Sequence, residues 1–215
     1  MFSGVAHGSA LERGEPIAVG SGALDALLGG GIPRGQVVEL SGAASSGKAT
    51  LALAVCMRAL ERGQAAAWID PAGAFWPVSA LEQGASLDRL LVVRVPDAGA
   101  ALRAAHILLA SAGAVAALVV DWPPGAAVRD RQLVALQRLA ERSASALLFL
   151  TERPATAPSL GAQVALRLHL SRCGAGAGAR IRIDVLRNKQ GASQRAIEEP
   201  ATRHGTDRLR LHRSL

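Results

Sequence analysis

Cysteine and tyrosine are scarce in this chain, and each scarcity limits what the protein does. The two cysteines, Cys56 and Cys173, are too few for a disulfide framework, and the five histidines have no metal-ligand spacing, so no metal site is predicted. Tyrosine is absent and aromatic residues make up 3% of the chain, so we expect base stacking to contribute little to any nucleic-acid contact.

Long apolar runs are also missing, although 50% of the residues are hydrophobic. No run reaches the length of a membrane span, and residues 1–6 lack the charged and apolar regions of a secretion signal. At 215 residues the chain is long enough for one α/β domain with a large core. We therefore expect a globular protein of the cytoplasm without a membrane partner.

Positive charge is concentrated in the second half of the chain. Residues 1–120 hold 8 Lys/Arg and 9 Asp/Glu, whereas residues 121–215 hold 16 and 8, a balance of +8. This asymmetry favours sequence-independent, salt-sensitive DNA binding through phosphate contacts, although an arginine-rich solvated surface caused by codon bias is the alternative. The residues that we predict to bind DNA are Arg129, Arg131, Arg138, Arg142, Arg180, Arg182, Arg187 and Lys189.

The segment at residues 42–50, GAASSGKAT, matches the phosphate-loop pattern G-x-x-x-x-G-K-[ST] with one part missing. In that pattern backbone N–H groups cradle nucleotide phosphates, the lysine reaches the β- and γ-phosphates, and the hydroxyl residue binds Mg²⁺. A predicted strand precedes the segment and a predicted helix follows it, as the pattern requires. Gly42, Gly47 and Lys48 are in place, but Ala49 stands where the hydroxyl residue belongs.

An acid at the end of a later apolar strand, Asp121, occupies the expected Walker-B position, where it would help to hold Mg²⁺. The alternative is a strand-end acid that caps the next turn. Asp70 ends another strand and is assigned a structural role. The residues predicted to contact a nucleotide are Gly42, Ser45, Ser46, Gly47, Lys48, Ala49, Thr50 and Asp121.

Strands and helices alternate along most of the chain, which predicts an α/β fold with a mostly parallel sheet between two helical layers. Strand patterns occur at 36–40, 65–70, 90–95, 115–121 and 144–152, and helical patterns at 21–28, 50–60, 100–112 and 130–143. Two further strands, at 164–171 and 179–187, flank a glycine-rich turn and predict a C-terminal antiparallel hairpin. We divide the chain into a flexible lead-in (1–16), one core domain (17–199) and a basic tail (200–215).

The run SGALDALLGGGIPRGQVVEL at residues 21–40 resembles the entry into the core of RecA recombinases. The resemblance continues through residues 42–50, WID at 68–70, LVVD at 118–121, LLFLTE at 147–152 and IDVLRNK at 183–189. It covers residues 17–199 and implies a RecA-like P-loop core.

Departures from the family pattern concern its catalytic and DNA-binding parts. The family's catalytic glutamate aligns with Ala72, and residues 122–129 and 153–163 are shorter than its two DNA-binding loops. The chain begins almost directly at the core, so we expect the segment through which RecA protomers polymerise to be absent. We therefore expect no catalytic residues and no enzymatic activity other than weak ATP hydrolysis. We also expect that the protein requires no cofactor and binds ATP or ADP only weakly.

A short RecA-like chain of this kind resembles the ImuA family of accessory proteins, which belong to SOS-induced bacterial mutagenesis cassettes. The resemblance implies support of translesion synthesis through contacts with RecA and with the polymerase-like protein ImuB. In the basic tail, leucines alternate with arginines, which suits a short edge strand or a docking peptide, and a frayed basic end is the alternative. We predict partner binding by Leu209, Arg210 and Leu211.

Two alternatives stay open. One is an active ATPase of the RecA/RadA or KaiC type, in which Thr50 supplies the magnesium hydroxyl after a one-residue shift of the loop, and Arg187 and Lys189 act on a neighbour's phosphates. The other is a SulA-like inhibitor of cell division.

Overall fold

Helices and strands alternate in the order that the sequence predicts. The structure is a computed structural model that describes residues 14–75, 81, 86–111, 113–175, 178–191 and 195–201. The predicted tail residues Leu209, Arg210 and Leu211 lie outside these ranges, as do residues 1–13 of the lead-in. The elements are α1 (Gly22–Leu27), β1 (Gln36–Ser41), α2 (Lys48–Glu61), β2 (Ala66–Asp70), β3 (Leu90–Arg94), α3 (Ala98–Ala110), β4 (Ala117–Asp121), α4 (Asp130–Ser143), β5 (Ala146–Thr151), β6 (Val164–Cys173), β7 (Arg180–Asn188) and β8 (Arg195–Pro200).

One sheet contains all of these strands in the order β3-β2-β4-β5-β1-β6-β7-β8. The pairs from β3 to β6 are parallel, whereas β6–β7 and β7–β8 are antiparallel. The predicted α/β fold, with its mostly parallel sheet and C-terminal antiparallel hairpin, is confirmed. Strand β8 was not predicted, because its sequence RAIEEP is largely exposed and charged and shows no run of apolar residues.

Helices cover both faces of the sheet because the central strands are apolar on both sides. Alternate residues of β1 show the division: Val38 and Leu40 pack in the cluster under α2, and Val37 packs in the cluster under α3 and α4. Burying a side chain of this kind stabilises the fold by roughly 1.5–3 kcal/mol. In the described part of the chain, no helix is long and apolar enough to cross a membrane.

The carboxyl ends of the parallel strands meet at one edge of the sheet, and backbone hydrogen bonds fix the segments that follow them. The N–H of Gly42, just after β1, donates to the carbonyl of Thr151 at the end of β5 (3.2 Å). The N–H of Trp122, just after β4, donates to the carbonyl of Leu150 (2.9 Å). The segments after β1, β4 and β5 are therefore held side by side at the edge where open α/β sheets bind ligands.

Candidate nucleotide site

The loop between β1 and α2 has a backbone shape that needs its glycines. Gly42 and Gly47 have φ angles of 148° and 100°, in the region that favours glycine, and Ser45 between them has φ 57°. A Cβ atom on Gly42 would lie 2.3 Å from the carbonyl oxygen of Leu170, and one on Gly47 would lie 2.6 Å from Cδ1 of Ile181. The glycines of the phosphate-loop pattern are thus required here by geometry.

Lys48, the first residue of α2, lies across this loop. Its Nζ donates to the carbonyls of Gly42 (2.7 Å) and Ala43 (2.6 Å). Burial lowers the pKa of Lys48, while the negative charges of Glu152 and Asp121 oppose that shift. The ammonium group is therefore held where a phosphate bound in the loop would meet it, close to two carboxylates.

The hydroxyl groups of the loop differ in their surroundings. Ser46 is buried, and its Oγ has no hydrogen-bond partner among the described residues, which leaves a polar atom inside the loop available to a ligand. Ser45 and Ala49 are exposed, and Thr50 is half-buried on the first turn of α2. Ala49 offers no oxygen at the second helical position.

Three carboxylate residues lie at the carboxyl ends of β2, β4 and β5. Asp70 is buried, and its oxygens accept the N–H groups of Ala74 and Phe75, both at 3.0 Å, so it organises the turn after β2. Asp121, at the end of β4, has a raised pKa, chiefly because of burial and then because of the charge of Asp70. Glu152 follows β5 and is exposed.

Magnesium that accompanies a nucleotide would find one protein carboxylate, Asp121, in the expected place and no hydroxyl at Ala49. Mg²⁺ takes oxygen ligands, keeps several waters and is often held through one or two carboxylates plus substrate phosphates. The donor set fits an ion held mainly by phosphates and water. No group of three or more His, Cys, Asp or Glu residues in the described ranges is arranged to hold a metal.

Half of the residues predicted to bind DNA lie together on α4. Arg131, Arg138 and Arg142 are exposed along the helix, opposite its buried residues Leu133 and Leu136. Arg129 is the N-cap of the same helix and is exposed. This arginine face, defined as Arg129, Arg131, Arg138 and Arg142, has no ion pair in the described structure, so its charge is available to an anionic partner.

The other half lies on or beside β7 and is engaged with the protein itself. Arg180 pairs with Glu198 (3.3 Å), and Arg182 pairs with Asp184 (3.0 Å) and, more distantly, Glu198 (3.8 Å). Arg187 donates to Ser159 Oγ and to the carbonyl of Ala162, and Lys189 Nζ donates to the same carbonyl at 2.8 Å. Arg187 and Lys189 thus fasten the segment after β5 to the end of β7, whereas Arg180 and Arg182 pair with acids of β7 and β8.

Sequence analysis missed a buried charged pair directly below the loop. Glu39, in β1, is fully buried and lies 3.5 Å from Arg167 Nε in the neighbouring strand β6. Glu39 also accepts Thr151 Oγ1 (2.8 Å) and the N–H of Leu160 (2.9 Å). A glutamate inside the apolar run VVEL was the only signal in the sequence, and its partner is too far along the chain to be identified from spacing.

A phosphate loop, its lysine and a strand-end aspartate at the carboxyl edge of a parallel sheet give the protein the architecture of the P-loop α/β class. The RecA N-terminal domain model matches residues 7–133, more than half of the chain. The chain belongs to the RecA N-terminal domain family.

Individual relatives agree with this assignment. RecA of Rhodospirillum rubrum is 49% identical over 109 residues, which are 50% of this chain and 29% of that protein. RecA of Thermus thermophilus is 44% identical over 111 residues, 51% of this chain and 32% of that protein. The chain thus spans about a third of these relatives. A crystal structure of the RadB recombinase, 21% identical, matches with a TM-score of 0.73 over 88% of this chain and 97% of that chain.

The prediction that the chain is not an enzyme is wrong. Relatives named Protein RecA point to an enzyme instead. The physical reason for the error is that the prediction counted only the groups missing at Ala49 and Ala72. The loop, Lys48 and Asp121 are retained, and Glu152 adds a carboxylate that was not considered.

Proposed function

We propose that the chain is a RecA-like DNA-repair protein that binds and slowly hydrolyses ATP and supports translesion synthesis in the bacterial response to DNA damage. The observation that carries the proposal is the assembled loop. Gly42 and Gly47 have the required backbone, Lys48 lies across the loop, and Asp121 stands at the end of β4. Such a loop binds phosphates through N–H groups and a helix N-terminus.

Slow hydrolysis follows from the composition of the site. Ala49 brings no hydroxyl to magnesium, and Ala72 brings no carboxylate to the turn after β2, whose acid Asp70 is already bonded to backbone N–H groups. A positioned general base typically contributes about 10²–10⁴-fold to a rate, so a site without a carboxylate at the usual position turns over slowly even where a neighbouring carboxylate takes part. This supports an accessory role over that of a fast motor.

The partners in this proposal are RecA, ImuB and DNA, in the cytoplasm, with ATP or ADP as the bound nucleotide and no other cofactor. The exposed arginine face on α4 is the surface for DNA, because its side chains are not paired with acids. Contacts to phosphates are independent of sequence and weaken with salt. The tail after residue 200, with Leu209, Arg210 and Leu211, is the proposed contact for RecA or ImuB, beside a core domain at residues 17–199.

Three measurements on the full chain test this function. ATP binding by calorimetry and ATP turnover are compared for the wild type and Lys48→Ala, with Arg62→Ala, an exposed change beyond the other end of α2, as the control. We expect both activities to be lost only in Lys48→Ala. Pull-down from DNA-damaged cells should recover RecA and ImuB. Absence of nucleotide binding at millimolar ATP contradicts the enzymatic part, and absence of both partners contradicts the accessory part.

A further inference from the structure

Three carboxylates, those of Asp70, Asp121 and Glu152, lie at the carboxyl edge of the sheet, and they differ in their contacts. Asp70 is bonded to two N–H groups, and Asp121 is partly buried at a strand end in the position of a magnesium ligand. Glu152 is exposed, and its carboxylate has no hydrogen bond or ion pair to any described residue. An exposed carboxylate beside a phosphate-binding loop is free to act on a bound ligand.

The strand register places Glu152 beside both halves of the nucleotide site. Thr151, the residue before it, is the register partner of Ser41, and its carbonyl accepts the N–H of Gly42 at the start of the loop. One residue earlier, Leu150 is the partner of Asp121. Glu152 therefore leaves the sheet between the phosphate loop and the Walker-B aspartate. It is also close enough to affect the pKa of Lys48 and of Asp121.

The backbone next to Glu152 is held in place by hydrogen bonds of the preceding residue, Thr151. Thr151 is buried, and its hydroxyl donates to Glu39 at 2.8 Å. Glu39 also accepts the N–H of Leu160 and pairs with Arg167, which ties the far end of the same segment to the sheet. The backbone from which the Glu152 side chain extends is therefore held at the edge of the nucleotide site.

We propose that Glu152 is the general base of ATP hydrolysis in this protein, in place of the carboxylate missing at Ala72. This inference rests on the proposed nucleotide-hydrolysing function. The Glu152 carboxylate accepts a proton from water as the water oxygen forms a bond to the γ-phosphorus. The bond between that phosphorus and the β,γ-bridging oxygen breaks, ADP leaves with the electron pair, and inorganic phosphate is released. Lys48 offsets the charge on the phosphates.

Asp121 is poorly suited to this role. Its carboxylate is partly buried at the end of β4, and it stands where a magnesium ion would recruit it. Asp70 lacks access because it is buried and both of its oxygens accept N–H groups. Of the three carboxylates at this edge of the sheet, that of Glu152 is therefore the one exposed to water.

The test is single-turnover hydrolysis of ATP by excess full-length protein, with nucleotide binding measured by calorimetry on the same preparations. The variants are Glu152→Gln, Glu152→Asp and Lys48→Ala. Glu15→Gln is the matched control, because Glu15 is exposed, unpaired among the described residues, and adjacent to Gly14, which approaches Arg34 and Ala144 at the opposite edge. Circular dichroism verifies that each variant is folded.

We expect Glu152→Gln to lower the single-turnover rate about 10²–10⁴-fold with unchanged ATP affinity. Glu152→Asp should retain part of the rate, and Glu15→Gln all of it. A folded Glu152→Gln variant that hydrolyses ATP like the wild type overturns this inference and leaves the proposed function intact, and loss of ATP binding in that variant overturns it as well. Absence of ATP binding in the wild type is a different result, which overturns the nucleotide part of the proposed function.

Discussion

Replacing Arg167 with methionine would leave Glu39 as an unpaired charge in the interior of the sheet. Glu39 is fully buried and Arg167 is 4% exposed, with 3.5 Å between Oε2 and Nε. The guanidinium also donates to Ser41 Oγ (3.2 Å), to the carbonyl of Pro154 (2.9 Å) and to that of Ala157. The change therefore removes one ion pair and three hydrogen bonds while keeping most of the side-chain volume.

The unpaired carboxylate dominates the expected loss of stability. Removing one partner of a buried ion pair typically costs about 3–5 kcal/mol. The carbonyls of Pro154 and Ala157 lie in an exposed segment where water can replace the guanidinium, so they add little. We expect Arg167→Met to lower the free energy of unfolding by about 3–5 kcal/mol. Arg172→Met, on an exposed residue of the same strand, should stay within about 0.5 kcal/mol of the wild type.

Urea unfolding followed by circular dichroism measures these values, and a double-mutant cycle isolates the pair. Glu39→Gln removes the charge, so the double variant with Arg167→Met should be more stable than the sum of the single effects implies, by about 0.5–3 kcal/mol. An Arg167→Met variant as stable as the Arg172→Met control refutes the reasoning. So does a cycle in which the two changes simply add.

Four further predictions concern the site and the surface. Gly42→Ala should abolish nucleotide binding in calorimetry, because its Cβ would lie 2.3 Å from the Leu170 carbonyl oxygen. Asp121→Asn should raise the free energy of unfolding of the nucleotide-free protein at neutral pH. Folding raises the pKa of the Asp121 carboxyl, so the stability of the wild type falls as the pH rises through the ordinary Asp range. The amide does not ionise, so the variant does not lose this stability. Changing Arg131, Arg138 and Arg142 to Gln should weaken DNA binding and reduce its salt dependence, as titrations at several salt concentrations would reveal, whereas Arg180→Gln should not. Deleting residues 203–215 should preserve the thermal midpoint and reduce recovery of RecA or ImuB in pull-downs; unchanged recovery would contradict a docking tail.

Local patterns were sufficient to predict the frame of the site. The glycine and lysine spacing at residues 42–48 predicts a phosphate-loop backbone, and the structure has that loop. Asp121 ends an apolar strand pattern, which predicts an acid at a strand end. Because the carboxyl ends of parallel strands share one edge of the sheet, this acid is expected at the same edge as the loop. Strand β8 was missed since its pairing with β7 is long-range and its residues are mostly exposed.

Pairing between distant residues could not be derived in the same way. Glu152 was quoted only as the last letter of a strand pattern, and its position beside Asp121 comes from the order of β4, β5 and β1 in the sheet. Arg167 was counted among the surplus positive charges of the second half, yet it is buried against Glu39. Periodicity specifies which face a residue occupies, and it does not specify which neighbouring strand lies there.

The charge asymmetry shows how position changes the meaning of a net charge. The balance of +8 after residue 120 favoured a DNA-binding surface in the second half of the chain. In the fold, Arg180 and Arg182 are paired with acids of β7 and β8, and Arg187 and Lys189 hold the segment after β5. The remaining helix arginines, on α4, are exposed and unpaired within the described residues. Electrostatic attraction to phosphates falls off within about 10 Å at 0.1 M salt, so the local arginine face determines where DNA would bind, and the net charge of the half does not.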